Sequence, residues 1–148
     1  MLSADDVWLA PPDTDAVAAA PVDGDVRESR DHRLSSARTT CGVRYFSVYA
    51  GNRLLGQILL HDIYWTAREA LVAYHLFRSD DRGRGICTHA LVQLQRYVSE
   101  HTDLRRLVVI TAADNEGSRR VAERCGFQWE GRAREGTDLV VYTWHATS

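Results

Sequence analysis

At 148 residues, 45% hydrophobic and 26% charged, the chain has the size and composition of one globular domain and needs no disulfide or metal to support its core. Eighteen arginines against twenty acidic residues leave a net charge of −2, which gives no footing for a nucleic-acid partner. The absence of lysine excludes a lysine Schiff base and a P-loop lysine. Cys41, Cys87 and Cys125 are odd in number and show no metal-ligand spacing. That pattern argues against a zinc site and suits a reducing compartment. The first residues are acidic and lack an apolar segment, and no apolar run approaches the ~20 residues of a bilayer span. The expectation is a cytoplasmic domain without a membrane partner.

Residues 1–40 are the least regular part, with eight carboxylates against four arginines. Val7–Leu9 reads as a short strand and Asp13–Ala20 as a short helix closed by Pro21. Val43–Ala50 and Leu54–Ile63, joined through Gly51-Asn52, predict a β-hairpin. A connection over Tyr64–Arg68 leads to a third strand, Ala70–Phe77, and then to the polar stretch Arg78–Gly85. Ile86, Ala90, Leu94, Tyr97 and Val98 recur at three- and four-residue steps, so Ile86 to about His101 is an amphipathic helix. Leu104–Ala112 is apolar almost throughout, as a strand buried on both faces would be. A short helix follows over Asn115–Cys125, with Asp114 or Asn115 as its cap and Gly126 as its stop. Two closing strands, Phe127–Arg132 and Asp138–His145, complete a mixed α/β sheet.

The loop Phe77–Thr88 carries the chemistry. Gly83 and Gly85 let backbone approach a ligand closely, and a helix N-terminus beginning there points N–H groups and a positive dipole end at an anion. Arg82 and Arg84 add donors suited to phosphate oxygens. A dinucleotide fingerprint fails because Thr88 stands at the third glycine position.

Arg82-Gly-Arg-Gly85-Ile-Cys87 resembles the R/Q-x-x-G-x-G/A acyl-CoA loop of the GNAT acetyltransferases. Asn115, twelve residues before the phenylalanine of Gly126-Phe127, resembles the family's second signature. The stretch that follows is similar to the branch that includes ribosomal-protein Nα-acetyltransferases, and the likeness covers roughly residues 43–145. It implies a single GNAT domain over 1–148: a central mixed, largely antiparallel sheet splayed at an acyl-CoA cleft, with helices on both faces. Residues 1–40 would shape the acceptor side, and 70–127 would form the acyl-CoA core.

The resemblance implies acetyl transfer from acetyl-CoA to a small-molecule amine or a peptide N-terminus, with no metal. Backbone near Phe77 would pair with the pantetheine arm like an added strand. Amides from Gly83 to Thr88, with the Thr88 hydroxyl, would hold the pyrophosphate, and Asn115 and Ser118 would reach the pantetheine or phosphate side. Cys87 departs from the family's Gly or Ala. The family's tyrosine acid and glutamate base also have no counterpart, since those positions are Ala122 and Leu71. His75 shares a strand face with Leu71, and its unperturbed pKa near 6.5 suits a general base. A structural strand histidine is the alternative. Glu69, Tyr142 and His145 are further candidates, and water as proton carrier stays open. Tyr64-Trp65 is an acceptor-pocket wall or a packed loop. Trp129 and Trp144 fill the core or a dimer surface, so a homodimer is also open.

Overall fold

The computed structural model describes residues 7–11, 43–133 and 136–146. The helix expected over 13–20 and the stretch to residue 40 lie outside the described residues, as does Cys41. Seven strands are described: β1 (Val7–Ala10), β2 (Arg44–Ala50), β3 (Arg53–Tyr64), β4 (Glu69–Leu76), β5 (Arg106–Ala112), β6 (Gln128–Arg132) and β7 (Leu139–His145). Two helices, α1 (Ile86–His101) and α2 (Glu116–Arg124), interrupt them, and a 3-10 turn at Ser79–Asp81 follows β4. The sheet runs β1-β2-β3-β4-β5-β7-β6. Every neighbouring pair is antiparallel except β4 and β5, which are parallel.

That parallel pair sets the architecture. It is registered only over Glu69–Leu71 against Arg106–Val108, although β4 continues to Leu76 and β5 to Ala112. Beyond Leu71 the two strands part, and a cleft opens in the middle of the sheet. Arg106 Nη1 donates to Glu69 Oε2 at 2.8 Å across the closed end of this fork.

Alternation along the strands fills one sheet face with apolar side chains. Ile58 and Leu60 of β3, Ala70, Val72 and Leu76 of β4, and Leu107 and Val109 of β5 belong to one buried cluster with Ile86, Ala90, Leu91, Leu94 and Val98 of α1 and Ala122 of α2. Both described helices therefore lie on the same face. Gln95 Nε2 donates to the Cys125 carbonyl at 2.8 Å and ties the helices together. No described helix is long and apolar enough to cross a membrane.

Gly56 holds the β3–β4 pairing close. A Cβ there would sit 2.1 Å from the His75 carbonyl oxygen and 2.9 Å from the Leu76 Cα, both backbone atoms that cannot swing aside. Gly56→Ala should therefore push β4 outward at the cleft. The expected loss is about 3 kcal/mol, at the upper end of overpacking costs, or roughly 6–12 °C in Tm. Thermal unfolding followed by circular dichroism checks it, and an unchanged Tm would mean that the strands are not so tightly apposed.

Candidate active site

The cleft has a volume of about 490 Å³ and is bounded by the end of β4, the loop after it, the start of α1 and one face of α2. Gly83 and Gly85 have φ of +79° and +78°, in the left-handed region where a side chain is strained. This conformation turns the chain from the 3-10 turn into α1. Gly85 is the helix N-cap and offers no capping side chain, so the N–H groups of Ile86, Cys87 and Thr88 face the cleft without helical partners. A second helix start lies across the cleft, where Asn115 caps α2 with Oδ1 accepting from the Ser118 N–H at 3.1 Å.

Of the residues expected from sequence, the structure brings His75, Arg82, Gly83, Gly85, Cys87, Thr88, Asn115 and Ser118 together in the cleft lining. Arg84 is exposed and does not line it. Phe77 requires a correction. Its N–H donates to the Leu55 carbonyl at 2.8 Å, toward β3, and its ring is buried with the His75 ring 5.4 Å away. Because hydrogen-bonded positions alternate along an antiparallel pair, the backbone that faces the cleft is that of Tyr74 and Leu76. The strand edge able to pair with an extended ligand is thus one residue earlier than expected.

The remaining candidates lie elsewhere. Glu69 is engaged by Arg106. Tyr142 is fully buried, accepting from Arg119 Nε at 3.0 Å and donating to Glu123 Oε1 at 2.8 Å, which is a structural tie between β7 and α2. His145 is exposed at the end of β7, opposite Arg106. Trp144 is half-buried and stacked near Phe127, whereas Trp129 is 61% exposed. Tyr64 and Trp65 are exposed, with the Arg44 guanidinium 5.4 Å from the Trp65 ring centre.

Sequence reasoning missed Tyr74, Arg120 and Arg124. The two arginines lie four residues apart on α2 and line the cleft with Gly117 and Val121, a helical spacing readable in the sequence. Among the described residues, three arginines and no carboxylate line the cleft, which suits an anionic ligand. The Tyr74 hydroxyl donates to the Ser118 carbonyl at 2.9 Å and accepts from Ser118 Oγ at 3.2 Å, bridging β4 to α2 across the fork. Burial pushes its pKa far up, so Tyr74 stays protonated and is poorly matched to acid catalysis near neutral pH.

Cys87 lines the cleft as a free thiol whose pKa burial pushes up to about 12, despite the opposing charge of Arg82. Burial thus keeps the thiolate scarce at pH 8, while the greater intrinsic nucleophilicity of a high-pKa thiolate offsets part of that loss. Iodoacetamide should therefore label Cys87 on the order of ten- to a hundredfold more slowly than an unburied thiol, with the rate still climbing as pH rises past 9. Peptide mass spectrometry of timed labelling at several pH values checks this, and rapid labelling at pH 8 would overturn it.

A polyanion with an extended arm would suit the space between the β4 edge and the two helix starts. The chain matches the profile of the GNAT acetyltransferase domain over residues 4–128, and it belongs to that family. It is 37% identical over 109 residues to a Bacillus subtilis (strain 168) protein named "Putative ribosomal N-acetyltransferase YdaF". The match takes in 69% of this chain, and the chain spans 58% of the length of that curated relative.

Solved structures share the fold. A ribosomal L7/L12 α-N-protein acetyltransferase, RimL, in complex with coenzyme A superimposes with a TM-score of 0.76 at 22% identity, covering 98% of this chain and 96% of that one. A spermidine N-acetyltransferase from Vibrio cholerae, in complex with CoA and spermine, gives 0.77 at 15% identity, covering 96% of each chain.

Proposed function

We propose that the protein is an acetyl-CoA-dependent N-acetyltransferase that acetylates a primary amine, either a protein N-terminus or a small amine metabolite. The observation that carries this reading is the cleft at the β4–β5 fork: helix N–H groups, two left-handed glycines and three arginines, with no carboxylate among its described lining residues. That donor set fits a pyrophosphate. Gly83 to Thr88 with Arg82 would hold it, Asn115 and Ser118 would bound the arm, and the Tyr74 and Leu76 backbone would pair with its amides. Acetyl-CoA would supply the thioester. The amine nitrogen attacks the carbonyl carbon, the C–S bond breaks, and acetamide and free thiol leave after one proton moves from nitrogen and one reaches sulfur.

His75 is the base in this reading, since it lines the cleft and, among the described residues, no carboxylate does. With the Tyr74 proton committed to the Ser118 carbonyl, the departing thiolate takes its proton from solvent. Holding the reactants in line supplies the rest of the acceleration.

The test is acetyl-CoA binding by calorimetry, followed by free-thiol release over a panel of peptides and small amines. Binding with amine-dependent release is the expected result. Binding without release on any amine would favour a non-catalytic acyl-CoA module, the reading suggested by Ala122 and Leu71. Release only with longer acyl donors would change the acyl group.

A further inference from the structure

On the sheet face opposite the helices, three polar residues stand in one row across three strands. Ser47 of β2 is registered with Gln57 of β3, and Gln57 with His75 of β4. Directly opposed antiparallel residues have Cβ atoms about 4.5–5.5 Å apart, so each side chain reaches the next. Ser47 is 1% and Gln57 2% exposed. The row starts at the cleft, which His75 lines, and runs inward.

Ser47 Oγ, Gln57 Oε1 and both ring nitrogens of His75 are buried without a hydrogen-bond partner. Among the described residues, no other side-chain nitrogen or oxygen is in that condition. Folded proteins partner the large majority of such atoms, and each lapse costs about 1–3 kcal/mol. Four lapses on three adjacent residues are therefore one feature with one cause.

The donor and acceptor inventory of the row resolves itself. An amide oxygen has two lone pairs, a hydroxyl can donate, and a neutral imidazole has one N–H and one bare nitrogen. If Gln57 Oε1 accepts from the Ser47 hydroxyl and from the His75 N–H, three of the four atoms are satisfied by torsional changes alone. The fourth is the bare ring nitrogen, the group a general base needs. We propose that Gln57, steadied by Ser47, is a positioning residue that sets the tautomer of His75 and leaves its basic nitrogen for the acceptor amine. This rests on the acetyl-transfer reading with His75 as base.

Among the described residues, the other titratable groups that line the cleft are Arg82 of the loop, Arg120 and Arg124 of α2, Tyr74 and Cys87, and none of them is a carboxylate. On the row's own face β2 adds Tyr45, two residues from Ser47. The buried carboxylate after β4, Asp81, is paired with Arg53.

The test uses full-length Gln57→Leu and Gln57→Glu beside wild type, with ring-nitrogen NMR of ¹⁵N-histidine-labelled protein, the signal assigned by its loss in His75→Ala. Wild type should show a single neutral tautomer, and Gln57→Leu a mixture. In turnover, Gln57→Leu should lower kcat about tenfold with unchanged acetyl-CoA affinity. Gln57→Glu should move the acid limb of kcat upward by about one pH unit, because a carboxylate favours the imidazolium. The same tautomer in Gln57→Leu, or an acid limb unmoved in Gln57→Glu, would overturn the proposal. The NMR arm needs no turnover, so absence of acetyl transfer on any amine would sink the function while the Gln57–His75 link is still decided.

Discussion

Gly85→Val should weaken acetyl-CoA binding by on the order of 100-fold, about 2.8 kcal/mol at 1.4 per tenfold. Within the protein itself a Cβ at Gly85 meets nothing closer than the His89 ring, at 3.8 Å. The φ of +78° adds about 1–2 kcal/mol of strain for a non-glycine residue, more for a β-branched one. Strain acts on folding, whereas the side chain stands where the ligand's phosphates meet the α1 N-terminus. Gly85→Ala separates the two, since it carries the strain with little bulk and should keep most of its affinity. Calorimetry paired with thermal unfolding of both variants reads the difference. Unchanged affinity in Gly85→Val at an intact fold would remove this loop from the ligand site.

What the sequence disclosed and what it hid divide along a physical line. Local signals were legible: the Gly51-Asn52 turn marked the hairpin, the three- and four-residue steps marked α1 at Ile86–His101, and the capping pair Asp114-Asn115 marked the start of α2, where the structure uses Asn115. Each depends on residues within a few positions of one another. The cleft-facing backbone was expected at Phe77, because side-chain alternation does not say which strand edge a backbone N–H faces. That direction is set by the pairing of Phe77 with Leu55, twenty-odd residues away. Ser47 and Gln57 sat unmarked inside apolar strands for the same reason. Their alignment with His75 requires the register of three strands at once, and a bulge between Val48 and Tyr49 makes that register unreadable from counting. Tyr74 was also missed, since a tyrosine alternating with Ala70, Val72 and Leu76 reads as core until α2 is folded against it.

His75→Ala should lower kcat by on the order of 10²–10³-fold, within the range that one positioned base supplies. Magnitude alone would not establish the role, because loss of a half-buried side chain can distort the cleft. The sign of the pH dependence does. A base acts in its unprotonated form, so the wild-type rate climbs with pH as the imidazole loses its proton. The acceptor amine titrates too, near 7.7–8.0 if it is a peptide N-terminus, and contributes its own rise to both proteins. Dividing the wild-type rate by the variant rate at each pH cancels the acceptor and leaves His75. The quotient should be small at acid pH, climb as the imidazole loses its proton and then level off. A purely structural histidine would give a quotient independent of pH, even with a lowered Tm. The same quotient taken in a Gln57→Glu background should climb at higher pH, since the carboxylate holds the proton on the ring longer. A shift in that direction requires that the imidazole both carry the proton and sit within reach of residue 57.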